Sequence, residues 1–311
     1  MTQKVLVCDS IDPASVEEMK AAGLSVDVRT GLSAKELCEV VGPYHALVVR
    51  SATKVTKDVL ERATSLKLVV RGGVGVDNIA VDDARRRGVE VMNTPEANSI
   101  AVAEHAIALM FAFSRRIAAA DVSMRAGRWD KAKLEGTELY RKTLGLVGLG
   151  RIATEVARRA VALGMRVIAC RRSVKPAEEM TALGVEVVGF DDLLARADIV
   201  SLHLPFSKES HHLFDAARIA RMKQGAVLVN CARGGIVDEV ALAQALESGH
   251  LSGAAVDVFE KEPPDPANPL LRLPNVVVTP HLGASTVEGQ NRVGEAVARK
   301  VIAFFLAPER A

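Results

Sequence analysis

Short apolar runs alternate with amphipathic stretches from the first residues of this chain. KVLVC (4–8), residues 26–29, ALVVR (46–50), KLVVR (67–71) and residues 90–92 read as strands. Nearly continuous Val, Leu and Ala runs of this length are what parallel strands covered on both faces require. Residues 13–22 and 55–63 read as helices. The first has Asp12 placed to cap it and Pro13 at its first position. A long helix rich in Ala, Ile and Leu is expected over 99–126, opening near Asn98 or Ser99, and GRWDKAKLEGTELY (127–140) is expected to be irregular.

A second series of the same kind starts at Thr143. Strands are expected at 143–147, 166–170, 199–202, 226–230, 253–258 and 276–279, with helices between them, the first over 155–163. The Pro-rich EKEPPDPANP (260–269) reads as a loop, and the chain runs into a last helix over 286–306. Repeated strand–helix–strand units imply parallel sheets with helices on both faces. A chain of 311 residues suits two domains of about 100–200 residues each. The expected fold class is therefore α/β, with two Rossmann-like, doubly wound parallel-sheet domains.

Composition narrows the function classes. The 40 basic and 38 acidic residues leave a net charge of +2 with no polybasic tail or stripe, so nucleic acid is not the expected partner. No apolar run approaches the roughly 18 residues that would span a bilayer, so no membrane association is expected. The N-terminus enters a strand directly, without the apolar region of a signal peptide. Cys8, Cys38, Cys170 and Cys231 form no CxxC and no zinc-like cluster, so no metal is expected and the thiols read as reduced. The expected setting is cytoplasmic.

TLGLVGLGRIA (143–153) contains the pattern G-x-G-x-x-A at Gly148, Gly150 and Ala153, with an apolar strand before it and a helix after it. In such a turn the first glycine permits the tight bend and the second lets the backbone approach a pyrophosphate. The third small residue lets helix and strand pack closely. The phosphates would face free N–H groups at the helix N-terminus. About 20 residues further on, an NAD site normally places an acid on the ribose 2′-hydroxyl. Here Arg171, Arg172 and Ser173 stand at that place. Guanidiniums and a hydroxyl suit a 2′-phosphate, so the cofactor is expected to be NADP or NAD, with NADP favoured.

Three further segments turn polar just after strands: NCARGGIVDE (230–239), DVFEKEPP (257–264) and TPHLGAST (279–286). Strand carboxyl ends are where α/β sheets hold ligands. Arg233, Glu262 and His281 form a candidate catalytic set. A 2-oxo acid needs a planar cation on its oxygens and a proton donor that works near neutral pH, and a carboxylate beside the imidazole fixes its tautomer.

With these residues in place, the chain resembles the D-isomer-specific 2-hydroxyacid dehydrogenase family, most closely its phosphoglycerate dehydrogenase branch. The matching stretches are VRSATKVT (49–56), GVDNI (75–79), NTPEANS (93–99), GTEL (136–139), GLVGLGRI (145–152), NCARGGIVDE and PHLGAST. The resemblance implies hydride transfer between NAD(P)(H) and C2 of a small anionic D-2-hydroxy or 2-oxo acid. It implies that His281 moves the proton, Glu262 partners it and Arg233 binds substrate oxygens. Arg151, Ile152, Cys231, Ala232, Asp257 and Gly283 would contact the cofactor. Arg50, Ser51, Arg71, Gly72 and Gly73 would hold the substrate.

The resemblance also implies a discontinuous, flavodoxin-like substrate domain (1–97 plus 285–311) with the cofactor domain (98–284) inserted. A homodimer is expected, built on the long helix and the Trp129 loop. Val74 stands where the phosphoglycerate branch tends to carry Thr. Together with Arg171 this keeps open an NADPH-dependent glyoxylate or hydroxypyruvate reductase. More remotely, the resemblance also admits a dinucleotide-sensing corepressor, since relatives of that kind keep the same Arg, Glu and His. Glu262 in place of Gln argues against formate dehydrogenase. Since the chain stops at Ala311, feedback by serine through a C-terminal regulatory domain is not expected.

Overall fold

The computed structural model describes residues 2–171 and 178–306. The chain divides into two compact units. One comprises the residues up to Asn98 and those from Ala284 on, and the other is Ser99–Gly283.

The first unit runs β1 (Lys4–Val7), α1 (Pro13–Ala21), β2 (Ser25–Val28), α2 (Ala34–Val40), β3 (Ala46–Val49), α3 (Lys57–Arg62), β4 (Leu68–Arg71), α4 (Val81–Arg86) and β5 (Glu90–Asn93). Its strands form a parallel sheet in the order β2-β1-β3-β4-β5, the flavodoxin-like order, whose switch point lies between β1 and β3. β1, β3 and β4 are buried throughout apart from their ends, which accounts for their unbroken apolar sequence. The last helix of the chain, α12 (Val287–Leu306), packs Val293, Val297 and Val301 onto Val5, Val7, Val48 and Val70 of this sheet.

The second unit opens with α5 (Ser99–Ser114) and α6 (Ile117–Arg125) and continues β6 (Thr143–Val147), α7 (Arg151–Ala162), β7 (Arg166–Cys170), α8 (Glu178–Ala182), β8 (Glu186–Val187), α9 (Phe190–Arg196), β9 (Ile199–Leu202), α10 (Ala216–Ile219), β10 (Val227–Asn230), α11 (Glu239–Glu247), β11 (Gly253–Val256) and β12 (Val276–Val278). The seven strands lie in the order β12-β11-β10-β9-β6-β7-β8, all parallel. The order reverses at β6 and β9, so a crevice opens at their carboxyl ends. The core on one face gathers Leu193, Phe214, Leu228, Ile236 and Leu242.

The α/β class and the parallel sheets match the sequence expectation; several element boundaries do not. The helix expected over 99–126 is two helices. Arg116 takes a left-handed φ of 50°, and the Ser114 carbonyl leaves the helical ladder to accept a hydrogen bond from Thr137 N at 2.8 Å. The incoming Gly136 segment thus competes for the backbone that would have continued the helix.

Residues 55 and 56 are not helical. Val55 bridges to Ile79, and the Thr56 hydroxyl accepts from Val59 N to cap α3. α7 starts at Arg151, four residues before the expected start. α2 escaped the sequence reading although Ser33 and Glu36 form a capping box there. α4 and the two-residue β8 were also missed. Both are too short to show a period.

Candidate active site

Because every strand of the second unit is parallel, the residues that follow β6, β7, β10, β11 and β12 all leave the same edge of one sheet. That places the Gly148–Arg151 turn, Arg171, Arg233, Asp257 and His281 along a common rim. Arg172 and Ser173 lie outside the described residues.

The Gly148 turn is set by close packing. Gly148 has φ +101°, and a Cβ there would lie 2.3 Å from the His203 carbonyl oxygen. Gly150 differs. Among the described residues a Cβ there would meet no atom within 4 Å, and no side chain caps α7. Uncapped N–H groups at the start of a twelve-residue helix, facing space that the described residues do not fill, fit a dinucleotide pyrophosphate. Ala153 is fully buried where helix and strand pack. Beyond β7, Arg171 is partly buried, and its Nε and Nη2 have no hydrogen-bond partner among the described residues. Cys231 and Ala232 are buried after β10, and burial pushes the Cys231 thiol well above its ordinary value.

The imidazole and carboxylate expected to act together are in contact. His281 Nδ1 lies 2.7 Å from Glu262 Oε2. The carboxylate accepts, so Nδ1 carries the proton and Nε2 is the ring nitrogen left to exchange one. Burial alone would raise the Glu262 carboxyl. The hydrogen bond and charge of His281, with Phe259 N donating to its other oxygen, hold it below the usual range. The loop that carries Glu262 is tied to α11: Glu239 accepts from Glu260 N at 2.7 Å and from Asn268 Nδ2.

Arg233 follows β10. Its Nη1 donates to the Ala232 carbonyl at 2.7 Å, and its own carbonyl accepts from Asn230 Nδ2 at 3.0 Å. The next residue, Gly234, leaves no room for a side chain, since a Cβ would lie 1.8 Å from the Phe259 carbonyl oxygen.

Asp257 is 1% exposed and organises the turn after β12. Its Oδ1 accepts from Thr279 Oγ1 at 2.6 Å and from Leu282 N at 2.7 Å, and its Oδ2 accepts from Gly283 N at 2.9 Å. Its main-chain carbonyl accepts from His281 N at 2.8 Å. Burial would raise the Asp257 carboxyl, but hydrogen bonds from His105, Thr279 and Leu282 N outweigh it and hold the group low.

A depressed native pKa stabilises the fold above the unfolded value of about 3.9, and this contribution is lost as pH falls through the lower native value. Asp257→Asn is therefore expected to lower Tm by several degrees at pH 7, with the gap to the parent closing as pH approaches 3. Calorimetry between pH 3 and 7 reads this, and a gap of constant size would contradict it.

The first unit holds the remaining candidates at its own switch point. Arg50 and Ser51 follow β3, and Arg71 ends β4 with Gly72 and Gly73 behind it. Sequence reading missed the residues that shape this edge. Asp9, after β1, accepts from Arg50 N, from Thr53 N at 3.2 Å and from Thr53 Oγ1 at 2.8 Å. Asn78 donates to the carbonyls of Arg50 and Thr53, each at 2.6 Å. Arg50 Nη1 donates to Gln290 Oε1 on α12, and its buried Nε has no partner among the described residues. Burial lowers the Arg50 guanidinium, opposed by Asp9. Gly73 N donates to Thr94 Oγ1 at 2.9 Å, which fixes the glycine turn. Only GVDNI and NTPEANS, quoted for their resemblance, pointed near Asn78 and Thr94.

Comparison with known proteins places this geometry in a class. Residues 107–283 match the D-isomer specific 2-hydroxyacid dehydrogenase, NAD binding domain. The chain belongs to the D-isomer specific 2-hydroxyacid dehydrogenase family. It is 48% identical over 299 residues to a D-3-phosphoglycerate dehydrogenase of Archaeoglobus fulgidus, covering 96% of this chain and 56% of that protein. It is 47% identical over 272 residues to a hydroxypyruvate reductase of Thermotoga maritima, covering 87% of this chain and 88% of that protein. The crystal structure of a glyoxylate reductase from Paecilomyes thermophila superposes with a TM-score of 0.89 at 31% identity, covering 97% of this chain and 95% of that one. The chain spans about half the length of the phosphoglycerate dehydrogenases it matches. Among the described residues no helix is long and apolar enough to cross a membrane, and no group of three His, Cys, Asp or Glu side chains could hold a metal ion.

Proposed function

We propose that this chain is a D-2-hydroxyacid dehydrogenase that interconverts a small anionic 2-hydroxy acid and its 2-oxo acid. The observation that carries the reading is the 2.7 Å contact between His281 and Glu262, at the same sheet edge as the glycine turn after β6. The nicotinamide cofactor, when bound, supplies or accepts the hydride at C2. In the reductive direction His281 Nε2 delivers a proton to the carbonyl oxygen, which becomes the hydroxyl; in oxidation it takes that proton back. Glu262 keeps Nδ1 protonated and stabilises the imidazolium. Arg233 binds the substrate's carboxylate and carbonyl oxygens with its planar fork.

Gly148, Gly150, Arg151 and Ile152 would hold the pyrophosphate. Asp257, Gly283, Cys231 and Ala232 would border the nicotinamide end. Arg50, Ser51, Arg71, Gly72 and Gly73 would hold the acid's anionic groups, and the buried Nε of Arg50, without a partner among the described residues, suits that use.

The phosphoglycerate dehydrogenase reading is favoured by identity across 96% of the chain. A second reading, an NADPH-dependent glyoxylate or hydroxypyruvate reductase, is favoured by the two guanidinium nitrogens of Arg171 that have no partner among the described residues and by the Thermotoga maritima relative of similar length. A steady-state panel of glyoxylate, hydroxypyruvate and phosphohydroxypyruvate, each with NADH and NADPH, separates them. Absence of turnover throughout would remove both and leave a dinucleotide-sensing binding protein.

The same Arg171 nitrogens support an NADP preference. Arg171→Asp is expected to raise the Kd for NADPH by more than it raises that for NADH. Equal changes in a fluorescence titration would free Arg171 from any role at the 2′-phosphate.

A homodimer is supported by the exposed Ile117, Val122 and Met124 of α6 and by Trp129, 78% exposed. Sedimentation of the chain checks it. A reducing, cytoplasmic setting is supported by the four free cysteines.

A further inference from the structure

α5 is apolar along most of its length and buries Val102, Ala106, Leu109 and Met110. His105 interrupts this run, yet its side chain is only 18% exposed. Its Nε2 lies 3.2 Å from Asp257 Oδ1 and 3.2 Å from Thr279 Oγ1. Three residues earlier on the same helix face, Val102 lies against the site of Gly283, where a Cβ would sit 3.6 Å from Val102 Cγ2. α5 thus sends two side chains to the turn that carries His281, and the polar one reaches its central hydrogen bonds.

That turn needs outside support. His281 has φ +54°, a left-handed conformation that is unfavourable for a non-glycine residue and persists only where the surroundings over-determine it. The bonds to Asp257 from His281 N, Leu282 N and Gly283 N supply the constraint. The last two depend on where the Asp257 carboxylate points, while the first ends on the Asp257 main-chain carbonyl and fixes His281 to the residue that follows β11 directly. Thr279 has one hydroxyl proton, which it gives to Asp257 Oδ1. Its oxygen is then left to accept, and the Nε2–H of His105 is the donor within reach of both that oxygen and Oδ1. One imidazole proton therefore fixes the direction of the Thr279 hydroxyl and the orientation of the carboxylate.

We infer that His105 is a positioning residue for the catalytic turn, acting through Thr279 and Asp257 to keep His281 in its left-handed conformation. The inference rests on the reading of His281 as the proton-transfer group. His105 touches no reacting atom in that reading; it acts on the backbone that aims the imidazole.

The test uses the full chain labelled with 13C-histidine. The His281 ring signal is assigned by its loss in His281→Ala. In His105→Ala that signal is expected to shift and broaden at constant pH. In His105→Gln, whose amide N–H reaches the same two oxygens, it should stay within the parent linewidth. With NADH and hydroxypyruvate, His105→Ala should lower kcat by about tenfold, a displacement effect, with KM for hydroxypyruvate within about twofold and most of the loss restored by His105→Gln. Thr279→Val should give a similar loss, and the His105→Ala/Thr279→Val double variant should lose no more than the worse single one.

An unmoved His281 signal in folded His105→Ala, equal losses in His105→Ala and His105→Gln, or additive losses in the double variant would each overturn the inference. Should His105→Ala fail to fold, His105→Asn, whose shorter amide falls short of the two oxygens, takes its place with the same expectations. A parent chain that turns over no 2-oxo acid would sink the dehydrogenase reading instead, and the signal comparison would still decide the positioning role.

Discussion

His281→Ala is expected to lower kcat by roughly 10²–10⁴-fold, the range for losing a general acid, or about 3–5 kcal/mol of transition-state stabilisation. NADH affinity should stay within a few-fold of the parent, because the bonds that hold the turn run from Leu282 N and Gly283 N to Asp257 and do not pass through the imidazole. Glu262→Gln should fall between the two. The amide still reaches Nδ1 but carries no charge to stabilise the protonated ring. Single-turnover measurement at saturating NADH separates the chemical step from binding. A variant with unchanged kcat would remove His281 from the mechanism.

The second large effect is structural. Gly148→Ala should destabilise the chain by about 3 kcal/mol or more, lowering Tm on the order of 10 °C. The new methyl would face the His203 carbonyl at 2.3 Å with φ at +101°, so strain and collision add. His203 cannot yield freely, since its N–H donates to the Val147 carbonyl at 2.8 Å and its Nε2 pairs with Ser201 Oγ at 2.9 Å. Desolvation lowers that imidazole to about 4, so it stays neutral at working pH.

Gly150→Ala should do the opposite. Its φ of −102° is open to any residue, and its Cβ meets no atom of the described residues, so Tm should hold while NADH binding weakens tenfold or more. Thermal scans and titrations of the two variants give a crossed pattern. If Gly150→Ala bound NADH as well as the parent, no pyrophosphate would approach that backbone.

Chemistry that depends on local order was legible in the sequence. The G-x-G-x-x-A turn needs only a strand before it and a helix after it, and residues 143–153 carry all three. Polar residues ending apolar runs marked Arg233, Glu262 and His281, because a parallel sheet sends all its strand ends to one rim. The capping box at Ser33 was written just as openly and was overlooked. The break at Arg116 was not legible, because helix propensity continues through it and the competing hydrogen bond comes from Thr137, 23 positions after Ser114.

The supports of the site were equally hidden. His105 on an apolar helix looks like any core histidine until Asp257 and Thr279, more than 150 positions away, are brought beside it. Asp9 gains meaning only when β1 lies next to β3 and its carboxylate meets the Arg50–Thr53 backbone.

The sequence by itself determined the α/β class, the dinucleotide turn and the identity of the candidate acid–base pair, since each is encoded within a few consecutive residues and a known periodicity. Tertiary structure alone decided which buried carboxylates hold those groups still. Such contacts join residues that no local pattern relates, and they form only when distant strands and helices pack.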